Sequence, residues 1–162
     1  MSESVVAGKA DDFTEAERGE FMRLVQEGSE VDDVVLARNI DAARRLVFLR
    51  SSEGLIGIAA LKMPQASYRK RISGLSGVEI PEGTFPLELG YVFVAPAQRN
   101  RGLSRRLVEA ALDGCSHDGV FATSRADNSS MHHTLERFKF RAAGKPYAGR
   151  EQVIQLFVRQ GR

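Results

Sequence analysis

The fold is decided by the stretch Glu88-Leu-Gly-Tyr-Val-Phe-Val-Ala-Pro-Ala-Gln98-Arg-Asn-Arg-Gly102-Leu-Ser104. Its first half predicts a strand over 87–94 that Pro96 ends. A helix is predicted from Gly102, since the apolar side chains from Leu103 to Cys115 fall on one helical face. Amides at a helix start lack an intrahelical partner and favour an anion, and Gly102 lets that anion approach the backbone closely. The stretch therefore predicts a phosphate-binding loop, with a plain strand-to-helix turn bearing solvated arginines as the alternative.

The rest of the chain surrounds this unit with further strands and helices. Runs of apolar residues predict strands at 5–7, 46–49, 55–61, 120–123 and 153–158. Helical spacing predicts helices at 14–25, 32–45 and 131–138, the first of them opened by a capping box from Thr14 to Glu17. Residues 64–86 show little periodicity and are predicted to form a long connection, which could contribute to an acceptor site. This order predicts one α/β (α+β) domain over residues 1–162, built on a central mixed sheet covered by helices.

Residues Gln98 to Ser104 resemble the acyl-CoA pyrophosphate loop of the GNAT acetyltransferases, Q/R-x-x-G-x-G/A, with Ser104 in its last position. The resemblance implies that the backbone of β-strand residues Val92 to Val94 holds the pantetheine arm, and that amides from Asn100 to Arg105 hold the pyrophosphate. The cofactor-binding residues that it implies are Val92, Phe93, Val94, Arg99, Asn100, Arg101, Gly102, Leu103, Ser104, Arg105 and Asn128. Neither a G-x-x-x-x-G-K-[ST] nor a G-x-G-x-x-G stretch is present, which excludes the usual nucleotide loops.

A second segment, from Asn128 to Phe140, is similar to the family pattern N-x-x-A-x-x-L-Y-E-K-x-G-F. The resemblance implies that Asn128 bonds the pantetheine amide, while Asn is also an ordinary helix N-cap. Lys139 stands where the family has glycine, and Leu135 stands where a tyrosine often protonates the leaving thiolate. The two segments together imply the GNAT fold, with a mostly antiparallel sheet of six to seven strands flanked by about four helices.

Glu88 is the candidate general base, because an ammonium ion must lose a proton before its nitrogen can attack an acyl group. Many members of the family keep a catalytic glutamate at this distance before the loop, although a solvent-facing or salt-bridged strand carboxylate is the alternative. The general acid stays open among water, Tyr91, Tyr147 and a nearby serine. Tyr147 is expected in a loop containing glycine and proline, with simple packing at the rim as its default role.

Composition narrows the remaining function classes. Residues 91–162 carry 12 Lys or Arg against 6 Asp or Glu, which suits either an anionic ligand or a solvated face. The cluster Tyr68-Arg69-Lys70-Arg71 is taken as solvated, Arg125 and Asp127 as a pair, and Cys115 as inert core. No metal site is expected, because His132 and His133 are adjacent and lack the i, i+4 spacing of a helical pair. A single cysteine and the absence of a 20-residue apolar run favour a cytoplasmic protein without a membrane segment.

The resemblance implies an acyl-CoA-dependent N-acyltransferase that moves an acetyl group from acetyl-CoA to a primary amine in a ternary complex. The acceptor is expected to be a small-molecule or peptide amine, and a homodimer is compatible with the sequence. A non-catalytic acyl-CoA-binding sensor on the same fold is the main alternative, motivated by Leu135. A nucleic-acid-binding module is the third reading, against which the scarcity of aromatic residues counts.

Overall fold

The computed structural model describes residues 3–29, 31–115 and 117–162. The strands within these residues are β1 Ser4–Gly8, β2 Arg45–Ser51, β3 Gly54–Lys62, β4 Leu87–Val94, β5 Val120–Arg125, β6 Arg141–Ala148 and β7 Val153–Arg159. The helices are α1 Glu15–Gly28, α2 Asp33–Ala42, α3 Ala66–Ser76, α4 Leu103–Leu112 and α5 Ser129–Arg137. The α/β class is confirmed, with a strand number inside the predicted range and one more helix than expected.

The contacts divide the chain into two units, and the first contains Met1–Met63 and Leu89–Ser116. In this unit β1, β2 and β3 pair antiparallel in sequence order, with Ser4 opposite Arg50 and Arg45 opposite Leu61. The predicted capping box is present. The Thr14 hydroxyl accepts from the Glu17 amide at 3.1 Å, and the Glu17 carboxylate accepts from the Thr14 amide at 2.9 Å. The side chains that form its core are Phe13, Phe21, Leu24, Leu36, Ile40, Phe48 and Ile58, among others.

The second unit contains Pro64–Glu88 and His117–Arg162. Here β7 lies between β5 and β6 and pairs antiparallel with both, with Val120 opposite Arg159 and Arg141 opposite Val158. The register of β6 shifts between Ala143 and Tyr147, where Gly144 adopts a positive φ of 70°. The buried side chains that form the core of this unit are Ile72, Ile80, Phe85, Phe121, Tyr147 and Leu156.

Three of the predictions from the sequence about these helices and strands were wrong. Residues 64–86 are not an irregular connection throughout, because α3 occupies Ala66–Ser76 and ends at Gly77, which has a left-handed φ of 78°. Tyr147 lies in strand β6 rather than in a loop. Helix α4 ends at Leu112, so Cys115 is half-buried in the following loop instead of on the helix, and its thiol donates to the Leu112 carbonyl at 3.2 Å.

Candidate active site

The predicted phosphate loop leads into α4 through a backbone that requires glycine. Gly102 is the N-cap of the helix, and its φ of 73° is left-handed, as is the φ of 67° at Asn100. Glycine and asparagine are the residues that tolerate this conformation best. A Cβ added at Gly102 would meet no atom within 4 Å, so the space above the loop is open. Gly102 has no side chain to cap the helix, which leaves the first-turn amides available to an anion.

The side chains of the loop divide between the core and the surface. Leu103 is buried at 4% exposure and anchors the first turn, whereas Ser104 is half-buried and Arg105 is exposed. Arg99 donates from Nε to the Val94 carbonyl at 3.0 Å, and its guanidinium lies 5.3 Å from the centre of the Phe93 ring. Arg99 therefore fastens the loop back onto the end of β4, in addition to any role with a ligand.

Arg101 contacts a carboxylate from the far end of the sequence. It donates to Glu3 and to Gln98, and Arg106 donates to the other oxygen of Glu3 at 3.1 Å. The hydrogen bond from Arg101 is the main cause that lowers the pKa of Glu3. The cations predicted to face a phosphate are thus partly neutralised within the protein.

The strand residues before the loop separate into core and edge positions. Val94 is buried, while Val92 and Phe93 are half-buried, and Phe93 packs against the first core. Tyr91 interrupts the strand with a φ of 55°, a left-handed conformation typical of a bulge in a strand. Its hydroxyl accepts from Asn39 Nδ2 at 2.9 Å, and Lys62 Nζ lies 4.4 Å from the centre of its ring. Tyr91 is therefore held by the first unit.

Glu88 is the most deeply buried carboxylate of the described chain, with 2% of the residue exposed. The Tyr68 hydroxyl donates to its Oε2 at 2.8 Å. A hydrogen bond to an ionised carboxylate is stronger than one between neutral groups, so Tyr68 both orients and stabilises Glu88. The solvent-facing alternative is therefore wrong, because the Glu88 side chain is buried within the second unit.

A second tyrosine lies in the electric field of Glu88. Tyr147 is buried, and among the described residues no group hydrogen-bonds to its hydroxyl. Burial first, and then the negative charge of Glu88, raise the pKa of Tyr147 to about 12. The same two causes, in the same order, raise the pKa of Tyr68 well above its usual value. Both phenols therefore stay protonated near neutral pH and can donate hydrogen bonds.

Arg69 corrects the expectation of a solvated basic cluster on α3. It is buried at 6% exposure, and its guanidinium donates to the carbonyls of Ile80, Phe85 and Pro86 at 3.2, 2.5 and 2.7 Å. These bonds hold the segment that leads directly into β4. Arg69 thereby positions the backbone two residues before Glu88, while Lys70 and Arg71 are exposed as predicted.

Asn128 and the segment after it form helix α5. Asn128 is the N-cap, and its side-chain oxygen accepts from the Met131 amide at 3.1 Å, which leaves its amide group free to donate elsewhere. Leu135 is buried at 1% exposure and has no proton to donate. Lys139 adopts a φ of 74° in the position where the family pattern has glycine, so the backbone keeps the glycine conformation at the cost of strain.

Two further expectations concern the side chains around β5. Arg125 and Asp127 form the predicted ion pair, with Nε and Oδ1 3.4 Å apart, and both are exposed. His132 donates from Nε2 to the Arg125 carbonyl at 3.0 Å in the tautomer that is protonated at Nε2, and its ring packs on Phe157. In the described residues, no three His, Cys, Asp or Glu side chains are grouped as a metal site would need. None of the helices in that same part of the chain is long and apolar enough to cross a bilayer.

The structure thus brings the predicted residues into two groups. The loop residues 99–105 and the end of β4 lie together in the first unit, whereas Glu88 is joined in the second unit by Tyr68 and Tyr147. Tyr68 was missed as a site residue because the basic run around it was taken for a solvated face. The spacing of Tyr68, Ile72 and Ser76 and the terminating Gly77 are the helical signals that could have identified its buried side.

Solved structures of other proteins share the fold of this chain. No curated protein matches the chain. Its fold is similar to that of an acyl-CoA N-acyltransferase from Pseudomonas aeruginosa, with a TM-score of 0.69 and 17% identity over 98% of this chain and 99% of that one. It is also similar to NAA60 from Arabidopsis thaliana in complex with acetyl-CoA, with a TM-score of 0.69 and 16% identity over 97% of this chain and 99% of the other.

A third solved structure, YncA from Salmonella typhimurium with its cofactor acetyl-CoA, has a TM-score of 0.65 and 17% identity, and the similarity covers 99% of this chain and 94% of that one. At such identities the likeness shows the fold alone, which is that of the GNAT proteins. The acetyltransferase (GNAT) family itself matches residues 10–140, most of the chain. This protein therefore belongs to the GNAT acetyltransferase family.

Proposed function

We propose that this protein is an acyl-CoA-dependent N-acyltransferase that moves an acetyl group from acetyl-CoA to a primary amine. The observation that carries the proposal is the open, left-handed Gly102 at the uncapped start of α4. Helix amides behind such a glycine suit a pyrophosphate, both as hydrogen-bond donors and through the helix dipole. The solved structures with acetyl-CoA, which share the fold, support this choice of cosubstrate.

The open loop at Gly102 and the uncapped first turn of α4 fit the pyrophosphate of acetyl-CoA. The backbone amides from Asn100 to Arg105 would hold its pyrophosphate, and Arg105 adds an exposed cation. The backbone of Val92, Phe93 and Val94 would hold the pantetheine arm, and the donor group of Asn128 would bond a pantetheine amide. Bound acetyl-CoA supplies a thioester, whose carbonyl carbon accepts the amine and whose thiolate leaves.

Glu88 is proposed to take the proton from the acceptor amine, directly or through one water. The amine nitrogen then forms the new C–N bond while the C–S bond breaks, so that the products are an amide and free CoA. Burial keeps competing water away from the carboxylate, and Tyr68 fixes the orientation of its Oε2 atom. Glu88 lies on the same strand as the proposed pantetheine-binding residues, four positions before Val92.

Tyr147 is proposed as the source of the proton that the departing thiolate takes up. Leu135 cannot supply it. Tyr91 keeps its own proton while its hydroxyl accepts from Asn39, so Tyr91 is the alternative donor. The raised pKa of Tyr147 keeps its hydroxyl protonated at neutral pH, and no described group accepts a hydrogen bond from that hydroxyl. A raised pKa also makes the phenol a weak acid, so the proton would move only as the negative charge develops on sulfur.

The sensor alternative is distinguished from the enzyme by turnover. A screen with acetyl-CoA against amines, amino acids, aminoglycosides, peptides and tRNA, read as release of free thiol, should find at least one acceptor. Thiol release that depends on both acetyl-CoA and the amine would support the enzyme. Binding of acetyl-CoA without thiol release across the whole panel would favour the sensor, and a failure of acetyl-CoA to bind would contradict both.

The remaining expectations stay predictions. They are a single catalytic domain over residues 1–162, a cytoplasmic location, direct transfer in a ternary complex, a small-molecule or peptide acceptor, and a homodimer. Kinetics at varied concentrations of both substrates distinguish a ternary complex from a covalent intermediate, since only the latter gives ping-pong patterns.

A further inference from the structure

We propose that a basic hollow on the β6–β7 side of the second unit binds the polyphosphate group of a small molecule. The hollow is an open depression of about 530 Å³, and its lining residues are Lys139, Arg141, Ala142, Val158, Arg159, Gln160 and Arg162. This site is separate from the residues given to acyl transfer, and the proposal does not rest on that function. We call it the basic hollow.

The hollow concentrates positive charge without any compensating carboxylate side chain. Lys139 follows α5, Arg141 opens β6 and Arg159 ends β7, and the pairing of Arg141 with Val158 places the two strand ends side by side. No Asp or Glu belongs to its lining. Among the described residues, no carboxylate forms an ion pair with any of these three cations. Arg162 also lines the hollow and adds a fourth cation.

The hydrogen-bond donors of Arg159 are not all satisfied within the described part of the chain. Its Nη1 atom is buried, and within the described part of the chain it has no hydrogen-bond partner. A guanidinium presents a planar fork of donors, and leaving one of them buried and unsatisfied is unfavourable. An oxyanion in the hollow would reduce the repulsion among the cations that line it.

The shape and composition of the hollow favour a phosphate group over other anions. Its volume falls within the ~300–1,000 Å³ typical of small-molecule sites. An arginine can bind phosphate in a bidentate manner, and several charges in one hollow match a ligand with several phosphates. No aromatic side chain lines it, so bases would find no stacking surface of the kind that single-stranded nucleic acids use.

Part of the excess of basic residues in the second half of the sequence lies at the basic hollow. Four of the 12 Lys or Arg among residues 91–162 line this hollow, whereas Arg99, Arg101 and Arg106 make contacts in the first unit. The polyphosphate could belong to a free nucleotide or to inorganic polyphosphate, because both present the same oxygens.

The test is calorimetric titration of the full chain at low salt with sodium tripolyphosphate and, separately, with ATP. It is done in a Gly102→Asp background, so that the cofactor loop contributes no phosphate binding. The double variant Arg141→Gln with Arg159→Gln should bind at least about tenfold more weakly, since two charge-assisted contacts are lost. Lys145→Gln is the matched control, because Lys145 is an exposed cation of the same strand outside the lining. It should leave the affinity nearly unchanged.

Several results would overturn the proposal. These are no detectable binding of tripolyphosphate or ATP at millimolar concentration, affinity that survives the double variant, or equal losses in the Lys145→Gln control. Binding of duplex RNA or DNA without binding of tripolyphosphate would identify a nucleic-acid surface instead. If the double variant fails to fold, Arg141→Gln alone decides the matter, because Arg141 is exposed and its removal should weaken binding without loss of the fold.

Discussion

Glu88→Gln is the perturbation that tests the proposed chemistry most sharply. The substitution keeps the volume of a side chain that is 2% exposed and replaces one carboxylate oxygen by an amide group. The remaining carbonyl oxygen can still accept from the Tyr68 hydroxyl, now 2.8 Å from Glu88 Oε2. The exchange of a charged for a neutral acceptor weakens that bond by about 1 kcal/mol. We therefore expect a folded protein with a small change in melting temperature and an unchanged affinity for acetyl-CoA.

The rate of acetyl transfer should fall much further than the stability. Loss of a general base typically costs about 10²–10⁴ in rate, which corresponds to roughly 3–5 kcal/mol in the activation barrier. The assay is thiol release with an acceptor found by the amine screen, across a pH series. At strongly alkaline pH the free amine needs no base, so the variant should recover part of its rate.

Tyr68→Phe is the companion variant, because it keeps the carboxylate and removes only the group that holds it. It should lower the rate by about tenfold, the equivalent of one lost hydrogen bond to a charged group. A Glu88→Gln protein that turns over at nearly the wild-type rate with a true acceptor would refute the reasoning. Glu88 would then be a structural carboxylate, and the base would have to be sought elsewhere.

Three other variants test separate parts of the structure. Lys139→Gly should raise the melting temperature by roughly 1–4 °C, because it relieves a left-handed φ of 74°; calorimetry checks this, and a lower melting temperature would contradict it. Arg69→Met should cost about 3–5 kcal/mol in denaturant unfolding by leaving buried carbonyls of Ile80, Phe85 and Pro86 unsatisfied. Arg69→Lys should recover part of that loss, and equal stability of Arg69→Met and wild type would contradict the role given to Arg69. The phenol of Tyr147 ionises near pH 10 in the unfolded chain and near pH 12 in the folded one, so its contribution to stability is lost as pH rises through that range. Tyr147→Phe should therefore lose less stability than wild type between pH 10 and 12, by about 1–2 kcal/mol after allowance for solvent screening, in unfolding curves at fixed pH.

The strand and helix around the cofactor loop could be predicted from local pattern. The apolar run ending at Pro96 predicted β4 with its observed bounds, Leu87–Val94, and the apolar face after Gly102 predicted the start of α4. The end of that helix was predicted too late, because Cys115 continues the apolar spacing beyond Asp113 and Gly114.

Helix α3 and strand β6 could not be recognised in the same way, because both contradict simple rules of composition. Arg69 is buried in α3, so the polar residues of that helix do not all mark its exposed side. Strand β6 contains Gly144 and Pro146, residues that normally indicate a turn, and accommodates them with a register shift.

Only part of the candidate site could be predicted from the sequence. Glu88 could be proposed from its place before a loop that resembles a known motif. Tyr68 lies 20 positions away in sequence and Tyr147 lies farther still, so their meeting with Glu88 depends on tertiary packing. No periodicity within one element predicts such a contact.

Calorimetric titration with acetyl-CoA tests the central claim most directly, using Gly102→Asp and the matched control Gly77→Asp. Gly102 and Gly77 have φ values of 73° and 78°, and a Cβ at either would meet no atom within 4 Å. The two variants therefore impose a similar backbone cost, but only Gly102→Asp places a side chain and a negative charge at the proposed pyrophosphate site. We expect wild type and Gly77→Asp to bind acetyl-CoA and Gly102→Asp to lose binding. Unchanged binding by Gly102→Asp, or no binding of millimolar acetyl-CoA by wild type, would contradict the account.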